Sequence, residues 1–406
     1  MLGLGSSIIS TSPAANRFEN VKSLILDGSG DYIDTRNTFQ STFRGSFSWS
    51  FWIKPDDGQP GATENLLGCD NADDTDAFFI TLDTAGKIKI DHEANNDPAS
   101  YITDAAVYAD GAGGWKHICV TVTKATNTSY IIYVDGAAVA GTLSDAVAEA
   151  AHAAWTSVEH VYIGATDDDG SALNPFTGKM DEVALFNVAL DADAVAAIYN
   201  SGTIFDLNED KGNYDNSSAL VVYYRMFDDV GAGDDKADDG LIIHDAHDPG
   251  LGAELVDATP ATAHIVGNGA NVVEIEDGAY KVTFDGGTAS GGELRFRDTD
   301  GPLSTDLTVG KIYKVQFEMK INTGAMKPRV YAGGNINAVE GTTFTSTSYL
   351  LRTIYFPCNN TTNNALTMQA DFGTGEIYFI KNLSLKELNG IPALSSGNPA
   401  SSTDVP

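Results

Sequence analysis

Residues 47–55 read FSWSFWIKP. Large apolar side chains stand at Phe47, Trp49, Phe51 and Ile53, and the small Ser48 and Ser50 alternate with them. Successive side chains of an extended chain point to opposite faces, so this segment has one heavy apolar face and one light face. Pro55 lacks an N–H and ends the strand. A strand buried on both faces of a parallel sheet would be apolar throughout, so the alternation points to antiparallel sheets around a core.

The same pattern extends outward in both directions. SLILDGSGDYIDT (23–35) reads as two strands around a Gly/Ser/Asp turn, and AFFITLDTAGKIKIDH (77–92) as a hairpin around Asp83 to Gly86. WKHICVTVTKATNTSYIIYVDGAAVAG (115–141) reads as a further pair running into a short strand through Val139. AVAEAAHAAW (146–155) reads as either a helical turn or a loop over the sheet. HVYIGATDDDG (160–170) is a strand with an acidic loop, and FTGKMDEVALFNVAL (176–190) is the closing strand. DADAVAAIYNSG (191–202) is the one clear helix, with Asp191 as N-cap, apolar Val195, Ile198 and Tyr199, and Gly202 as the stop. Many antiparallel strands with one apolar face each build a two-sheet sandwich, a jelly roll.

LVVYYRMFDD (220–229) is one more strand, followed by acidic, Gly-rich DDVGAGDDKADDG (228–240), the best domain boundary in the chain. Beyond it, seven or more period-2 segments lie between AYKVTFDG (279–286) and EIYFIKNLSLKEL (376–388) and make a second sandwich. The expected organisation is an all-β chain: an arm over 1–20, a jelly roll over 21–229, an acidic linker over 230–251, a second β-sandwich over 252–389, and a Pro/Ser/Gly-rich flexible tail over 390–406, or a tail ordered only by a neighbour.

Composition narrows the function. The 406 residues carry 24 Lys+Arg against 56 Asp+Glu, a formal net charge of -32. Such a surface repels nucleic acid and anionic membrane, which excludes a nucleic-acid partner, and it offers many oxygen ligands to calcium. The three cysteines, Cys69, Cys119 and Cys358, are far apart and form neither a disulfide framework nor a zinc site. The first 20 residues lack a positive n-region and read as a retained arm, and no stretch is long and apolar enough to span a bilayer.

The series LDGSGDYI, FSWSFWIKP, GWKHICVTV, YVDG, YIGA and FTGKMDEVALFNVALDADAVAAIYNSG, in this order and spacing over residues 21–202, resembles the laminin-G-like domains of the concanavalin A-like lectin/glucanase superfamily. Its continuation to residue 229 resembles virion structural proteins of marine phage. The second half is similar to carbohydrate-binding-module jelly rolls, departing from them at Asn382, where such modules often carry Asp. The resemblance implies that the first and last strands of the domain are neighbours. Asp27 and Asp181 are then expected at one sheet edge, either capping backbone N–H groups or binding calcium. It also implies rim loops that often hold calcium; the carboxylates available there are Asp73, Asp74 and Asp76 in CDNADDTDAF, and Asp167, Asp168 and Asp169 in GATDDDGSAL.

Glucanases on this fold place catalytic carboxylates at alternate positions of one strand. The near match, Glu274 and Glu276 of VEIEDG, lies in the wrong half and ends at a turn. No G-x-S-x-G or H-E-x-x-H occurs, and HDAHD (244–248) reads as a solvated loop. The chain is therefore expected not to be an enzyme. Sugar stacking needs aromatic faces near loops; Tyr101, Tyr108, Trp155, Tyr331 and Tyr349 are the candidates, whereas Trp49, Trp52 and Trp115 read as core. The functional expectation is a homo-oligomeric virion structural protein, a decoration, fibre or adhesin that docks on other virion proteins and engages host surface glycans. The alternatives are a secreted bacterial glycan-binding protein and a ligand-free capsid cement protein.

Overall fold

The computed structural model describes residues 18–71, 75–226, 228, 242–248, 250–256, 271–284, 294–297, 303–332, 339–340, 343–359, 365–371, 376–397 and 399–406. The strands of the first half are β1 (Ser23–Asp27), β2 (Tyr32–Asp34), β3 (Phe47–Pro55), β4 (Glu64–Asp70), β5 (Asp76–Leu82), β6 (Ile88–Ala94), β7 (Asp97–Thr103), β8 (Lys116–Thr123), β9 (Ser129–Val134), β10 (Ala137–Ala138), β11 (Gly141–Leu143), β12 (Tyr162–Ile163), β13 (Thr166–Asp168), β14 (Ser171–Leu173), β15 (Thr177–Phe186), β16 (Leu220–Tyr224) and β17 (Ile242–Ile243). Short helices α1 (Gln40–Phe43) and α2 (Glu149–Ala153) lie between strands, and α3 (Ala192–Tyr199) follows β15.

Asp191 caps α3 as expected, its carboxylate accepting from the Ala194 N–H at 2.8 Å. The left-handed residue that stops the helix is Asn200 (φ 45°), two positions before Gly202.

The strands of the second half are β18 (Asn271–Glu276), β19 (Ala279–Phe284), β20 (Leu294–Arg297), β21 (Ile312–Ile321), β22 (Lys327–Ala332), β23 (Val339–Glu340), β24 (Leu350–Pro357), β25 (Ala365–Asp371) and β26 (Ile377–Glu387). They pair as a five-stranded sheet, β18-β19-β26-β21-β24, and a four-stranded one, β20-β25-β22-β23. Val282, Phe296, Phe317, Phe356, Leu366 and Leu385 pack in the core between them. The protein is therefore all-β, built of antiparallel sandwiches with one helix longer than a turn or so.

In the first sandwich one sheet runs β10-β9-β8-β3-β15-β1, and the other runs β11-β7-β6-β5-β4-β12-β2. The heavy face of FSWSFWIKP enters the core between them: Phe47, Trp49, Phe51 and Ile53 are each 0% exposed. The light face is not solvated. Val195, Ile198, Phe205 and Leu207, carried by α3 and the chain after it, pack with Cys119, Tyr133, Phe186 and Tyr223 of the outer sheet face. The first and last strands are neighbours, as the resemblance implied: β1 pairs with β15, Leu24 opposite Met180 and Asp27 opposite Thr177.

The segment over 390–406, expected as a flexible tail, is instead part of the first sandwich. β27 (Ala393–Ser396) pairs with β2 and β17, and β28 (Ala400–Ser402) pairs with β1. The physical reason is edge closure: β1 and β2 present unpaired N–H and C=O groups, and any extended segment within reach satisfies them whatever its side chains. HDAHD is likewise not a solvated loop. Asp245 is 2% exposed and accepts from the N–H groups of Tyr223, His247 and Ile391, each at 3.0 Å. It ties the end of β16 to the chain returning toward β27.

Most of the expected arm (1–17) and most of the expected acidic linker (229–241 and 249) lie outside the described residues. Among the described residues no helix is long and apolar enough to cross a membrane.

Candidate functional site

The acidic residues singled out in the sequence mostly pin turns. Type I′ hairpin turns need positive φ at both central residues. The chain supplies Asn95 and Asn96 (φ 50° and 61°) between β6 and β7, and Asp169 and Gly170 (φ 50° and 77°) between β13 and β14. Asp76 is 2% exposed and accepts from Asn95 N–H at 2.9 Å, Thr156 N–H at 3.0 Å and Thr156 Oγ1 at 2.9 Å. Asp167, also 2% exposed, accepts from His160 N–H at 3.1 Å and Gly170 N–H at 2.9 Å, and burial pushes its carboxyl up to about 6. Asp168 is half-buried and Asp169 exposed, while Asp73 and Asp74 lie outside the described residues.

Asp27 is exposed and folds back on its own turn, accepting from Ser29 N–H at 2.8 Å and Ser29 Oγ at 2.9 Å, bonds that hold its carboxyl below the usual range. It sits opposite Thr177, four residues from Asp181 along β15, a separation of about 13 Å. The fold therefore does not bring Asp27 and Asp181 together.

Asp181 is fully buried at a bulge of β15. It accepts from Asn20 Nδ2 at 3.1 Å and Glu182 N–H at 2.9 Å, and burial holds its carboxyl well above the usual range. Beside it Glu182 (φ 51°) takes the Tyr223 hydroxyl and lies 3.5 Å from Arg225 Nε. Among the described residues no group of three or more His, Cys, Asp or Glu side chains is arranged to hold a metal ion. Among these rim carboxylates, Asp76 and Asp167 direct their oxygens at backbone N–H groups.

Two of the aromatic candidates, Trp155 and Tyr108, are buried rather than presented to a ligand. Trp155 is 0% exposed, in edge contact with Phe43 at 5.3 Å; it is core, because α2 folds the Ala-rich segment over the sheet edge. Tyr108 is 4% exposed and donates to the Ile53 carbonyl at 3.0 Å. Tyr101 packs against the first core, its hydroxyl pushed up by partial burial. Tyr349 has its ring under two ammoniums, Lys320 at 4.8 Å and Lys381 at 4.1 Å. Tyr331 has its backbone in β22, and its side chain lies outside the described residues. Trp115, read as core, is half-buried and donates to Asp404 at 3.1 Å. Glu274 and Glu276 are exposed and both pair with Lys281, at 3.5 and 2.7 Å.

The covered sheet face holds a Ser–His pair, Ser50 Oγ 2.9 Å from His117 Nε2. Ser50 is 1% and His117 0% exposed, burial pushes the imidazole down to about 3, and His117 Nδ1 has no hydrogen-bond partner. A pair sealed under α3 and lacking a carboxylate behind its imidazole is packing, not a nucleophile with its base.

The outer face of the other sheet carries a different arrangement. Cross-strand register aligns Ser100, Asp91, Phe79, Gly68, Tyr162 and Asp34 in one row over β7, β6, β5, β4, β12 and β2. Directly opposed side chains share a face, so two rings flank a glycine and a carboxylate stands at each side. A Cβ at Gly68 would lie 2.4 Å from Phe79 Cβ, so only glycine fits beneath Phe79, and Gly68 itself is buried. Tyr32 stacks on Tyr162 at 4.4 Å, the planes 20° apart, and leaves Tyr162 only 5% exposed. Phe79 and Tyr32 are half-buried, each leaving part of a ring to solvent.

At one end Asp91 pairs with Lys89 at 2.7 Å, and burial raises its carboxyl. At the other, Asp34 takes His160 Nδ1 at 3.0 Å and the Arg36 N–H at 2.6 Å; the Asp34 bond raises the His160 imidazole above its ordinary value. Four strand spacings separate the two carboxylates, about 19 Å. Asp91 and Glu93 likewise lie at alternate positions of one strand, β6, and belong to the first sandwich rather than the second. The segment KIKIDHEA (87–94) shows that spacing directly. The remainder of the row had no local signal, because β12 is two residues long and its two partners, β4 and β2, lie far away in sequence.

Residues 27–196 match the family model described as the concanavalin A-like lectin/glucanases superfamily. No curated protein matches the chain. Among solved structures, the chain is similar to the CBM40 module of the Ruminococcus gnavus IT-sialidase, at 17% identity and TM-score 0.37 over 45% of this chain and 99% of that one. It is also similar to a putative carbohydrate binding protein from Bacteroides ovatus ATCC 8483, at 18% identity and TM-score 0.36, covering 56% of each chain. A third is the heptameric SAP-like pentraxin of Limulus polyphemus, at 12% identity and TM-score 0.33 over 52% of this chain and 90% of that one. Over residues 27–196, and in the pairing of its first and last strands, the chain is thus similar to the concanavalin A-like lectin/glucanases superfamily.

Proposed function

We propose that the protein binds glycans without cleaving them, and that the sugar lies on the outer sheet face against the half-exposed rings of Phe79 and Tyr32. The two half-exposed rings, Phe79 and Tyr32, between the Asp91 and Asp34 carboxylates carry this reading. The apolar face of a pyranose stacks on an aromatic ring, and carboxylates such as Asp91 and Asp34 accept its hydroxyls. Binding rather than hydrolysis fits the row, because Asp91 and Asp34 stand about 19 Å apart, beyond the roughly 5–10 Å of a glycosidase carboxylate pair.

The test is a glycan array followed by titration of the best neutral hit. Phe79→Ala is expected to weaken binding by about 1–2 kcal/mol, roughly tenfold in Kd. Unchanged affinity in Phe79→Ala and Tyr32→Ala would remove the sugar from this face. Reducing ends released from the bound glycan, and lost in Asp91→Asn, would replace binding by hydrolysis.

The wider setting we favour is display on a virion, as a decoration, fibre or adhesin. Its support is the resemblance of residues 203–229 to virion structural proteins and the acidic surface. Many copies would then turn weak single sites into firm attachment. Mass spectrometry of purified particles tests that setting. A secreted bacterial lectin would be absent from particles, and a ligand-free cement protein would bind nothing on the array.

A further inference from the structure

Two lysines stand directly opposite each other on neighbouring strands, Lys54 of β3 and Lys179 of β15. Like charges at such a position repel, and they are an odd choice in a chain with 24 basic against 56 acidic residues. An anion between them removes the repulsion, and the structure holds one. The Asp404 carboxylate accepts from Lys54 Nζ at 2.8 Å, Lys179 Nζ at 3.1 Å and the Trp115 indole N–H at 3.1 Å. Three cationic or N–H donors from three separate stretches converge on one carboxylate, which is held down at about 2 by those bonds.

The carrier of that carboxylate is lightly held. β28 makes three paired positions with β1; Ala400, Ser401 and Thr403 are exposed, and the Ser23 hydroxyl donates to the Asp404 carbonyl at 2.7 Å. Asp404 itself is 40% exposed, and exposed ion pairs contribute little to stability. The receptor is thus better built than the segment that fills it.

We propose that Lys54, Lys179 and Trp115 form a receptor for the carboxylate of an acidic saccharide, and that Asp404 occupies it as a tethered stand-in that the ligand displaces. The ammoniums would take the carboxylate and the half-buried indole would meet the sugar ring. The saccharide class rests on the glycan-binding reading above, but the receptor lies on the opposite sheet and is tested separately.

The experiment titrates the full chain with trigalacturonate and with the neutral glycan found on the array. Asp404→Ala is expected to bind trigalacturonate at least about tenfold more tightly than the parent, and Lys54→Ala on that background to cancel the gain. Affinity for the neutral glycan should be the same in all three proteins. Asp404→Asn keeps the shape of the segment and gives the same direction should Asp404→Ala fail to fold. Equal uronate affinity in parent and both Asp404 variants overturns the proposal, as does a gain that survives Lys54→Ala. Tighter capture of a free peptide of residues 400–406 than of trigalacturonate would overturn it in favour of strand exchange between copies. If no neutral glycan binds the parent while Asp404→Ala still gains trigalacturonate, the sheet-face reading fails and the carboxylate receptor stands.

Discussion

A buried aspartate has to place its charge somewhere, and in this chain the destination is backbone. Asp76 satisfies the Asn95 and Thr156 N–H groups, so it fastens the β6–β7 turn to the chain before β12. Asp76→Ala leaves those donors unpaired in a buried site and is expected to cost about 2–4 kcal/mol in urea denaturation. The loss should be equal with and without a calcium chelator; a loss confined to calcium buffer would return Asp76 to metal binding. The cluster around it reads as ligand-like because Asp is both an oxygen ligand and a turn former. What separates the two uses is the partner, and the Asn-Asn and Asp-Gly pairs beside these residues are the local sign of a positive-φ turn.

His92 shows the same logic with the opposite charge. It is 1% exposed with Nδ1 2.9 Å from the Tyr130 hydroxyl, and burial, then His152, push its imidazole from 6.5 to about 3. The unfolded chain takes up this proton first as pH falls. Stability due to a neutral His92 is therefore lost from about pH 6.5 down to about pH 3, at about 1.4 kcal/mol per pH unit. Asp167 and Asp245, both raised to about 6, act in the reverse sense between pH 6 and 3.8 and flatten the overall profile. The comparison that isolates His92 is His92→Phe against the parent at pH 7.5 and 4.5. The stability difference should move in favour of the variant by the stated slope, and a pH-independent difference would show that His92 does not titrate on unfolding.

At the scale of elements, FSWSFWIKP was legible because alternation is local. Its light face was legible only in part: serine at 48 and 50 is compatible with water or with a covering layer, and α3 supplies the layer. The sandwich, the helix and the neighbouring first and last strands all follow from patterns within single stretches or from the family likeness. The platform does not, since Phe79, Gly68 and Tyr162 become neighbours through pairing alone. Gly68 is the element-level test of that row. Gly68→Val would force its new side chain against Phe79 and is expected to cost about 1–3 kcal/mol by overpacking. Glycan binding should fall as in Phe79→Ala, because a displaced Phe79 no longer presents its ring to the sugar. Undiminished binding in a folded Gly68→Val protein would mean that the sugar does not sit on Phe79.

At the scale of the whole molecule, the strands flanking the second sandwich are themselves partners. β17 pairs with β27, Ile242 opposite Leu394, and below them the Asn389 N–H donates to the Gly250 carbonyl at 3.0 Å. The second sandwich is thus an excursion from a two-stranded neck of the first. It touches its host through Leu394 packed on Ile312, Tyr355 and Leu388, and through Arg36 Nη2 donating to Asn359 at 2.7 Å. A composition reading sees the low-complexity segment 389–406 as unable to form a core, which is correct of its side chains; what orders it is backbone pairing with edges that lie far away in sequence. Replacing residues 251–388 by a two-residue Asn-Gly turn should therefore leave a cooperatively folding first sandwich that binds the neutral glycan with unchanged affinity. Ending the chain after residue 388 should do the opposite, because it strips partners from both β1 and β2 and removes Asp404 from between Lys54 and Lys179. Comparable melting of the two shortened proteins would show that β27 and β28 add nothing to the host. Loss of cooperativity in the excised protein alone would make the second sandwich a structural support of the first.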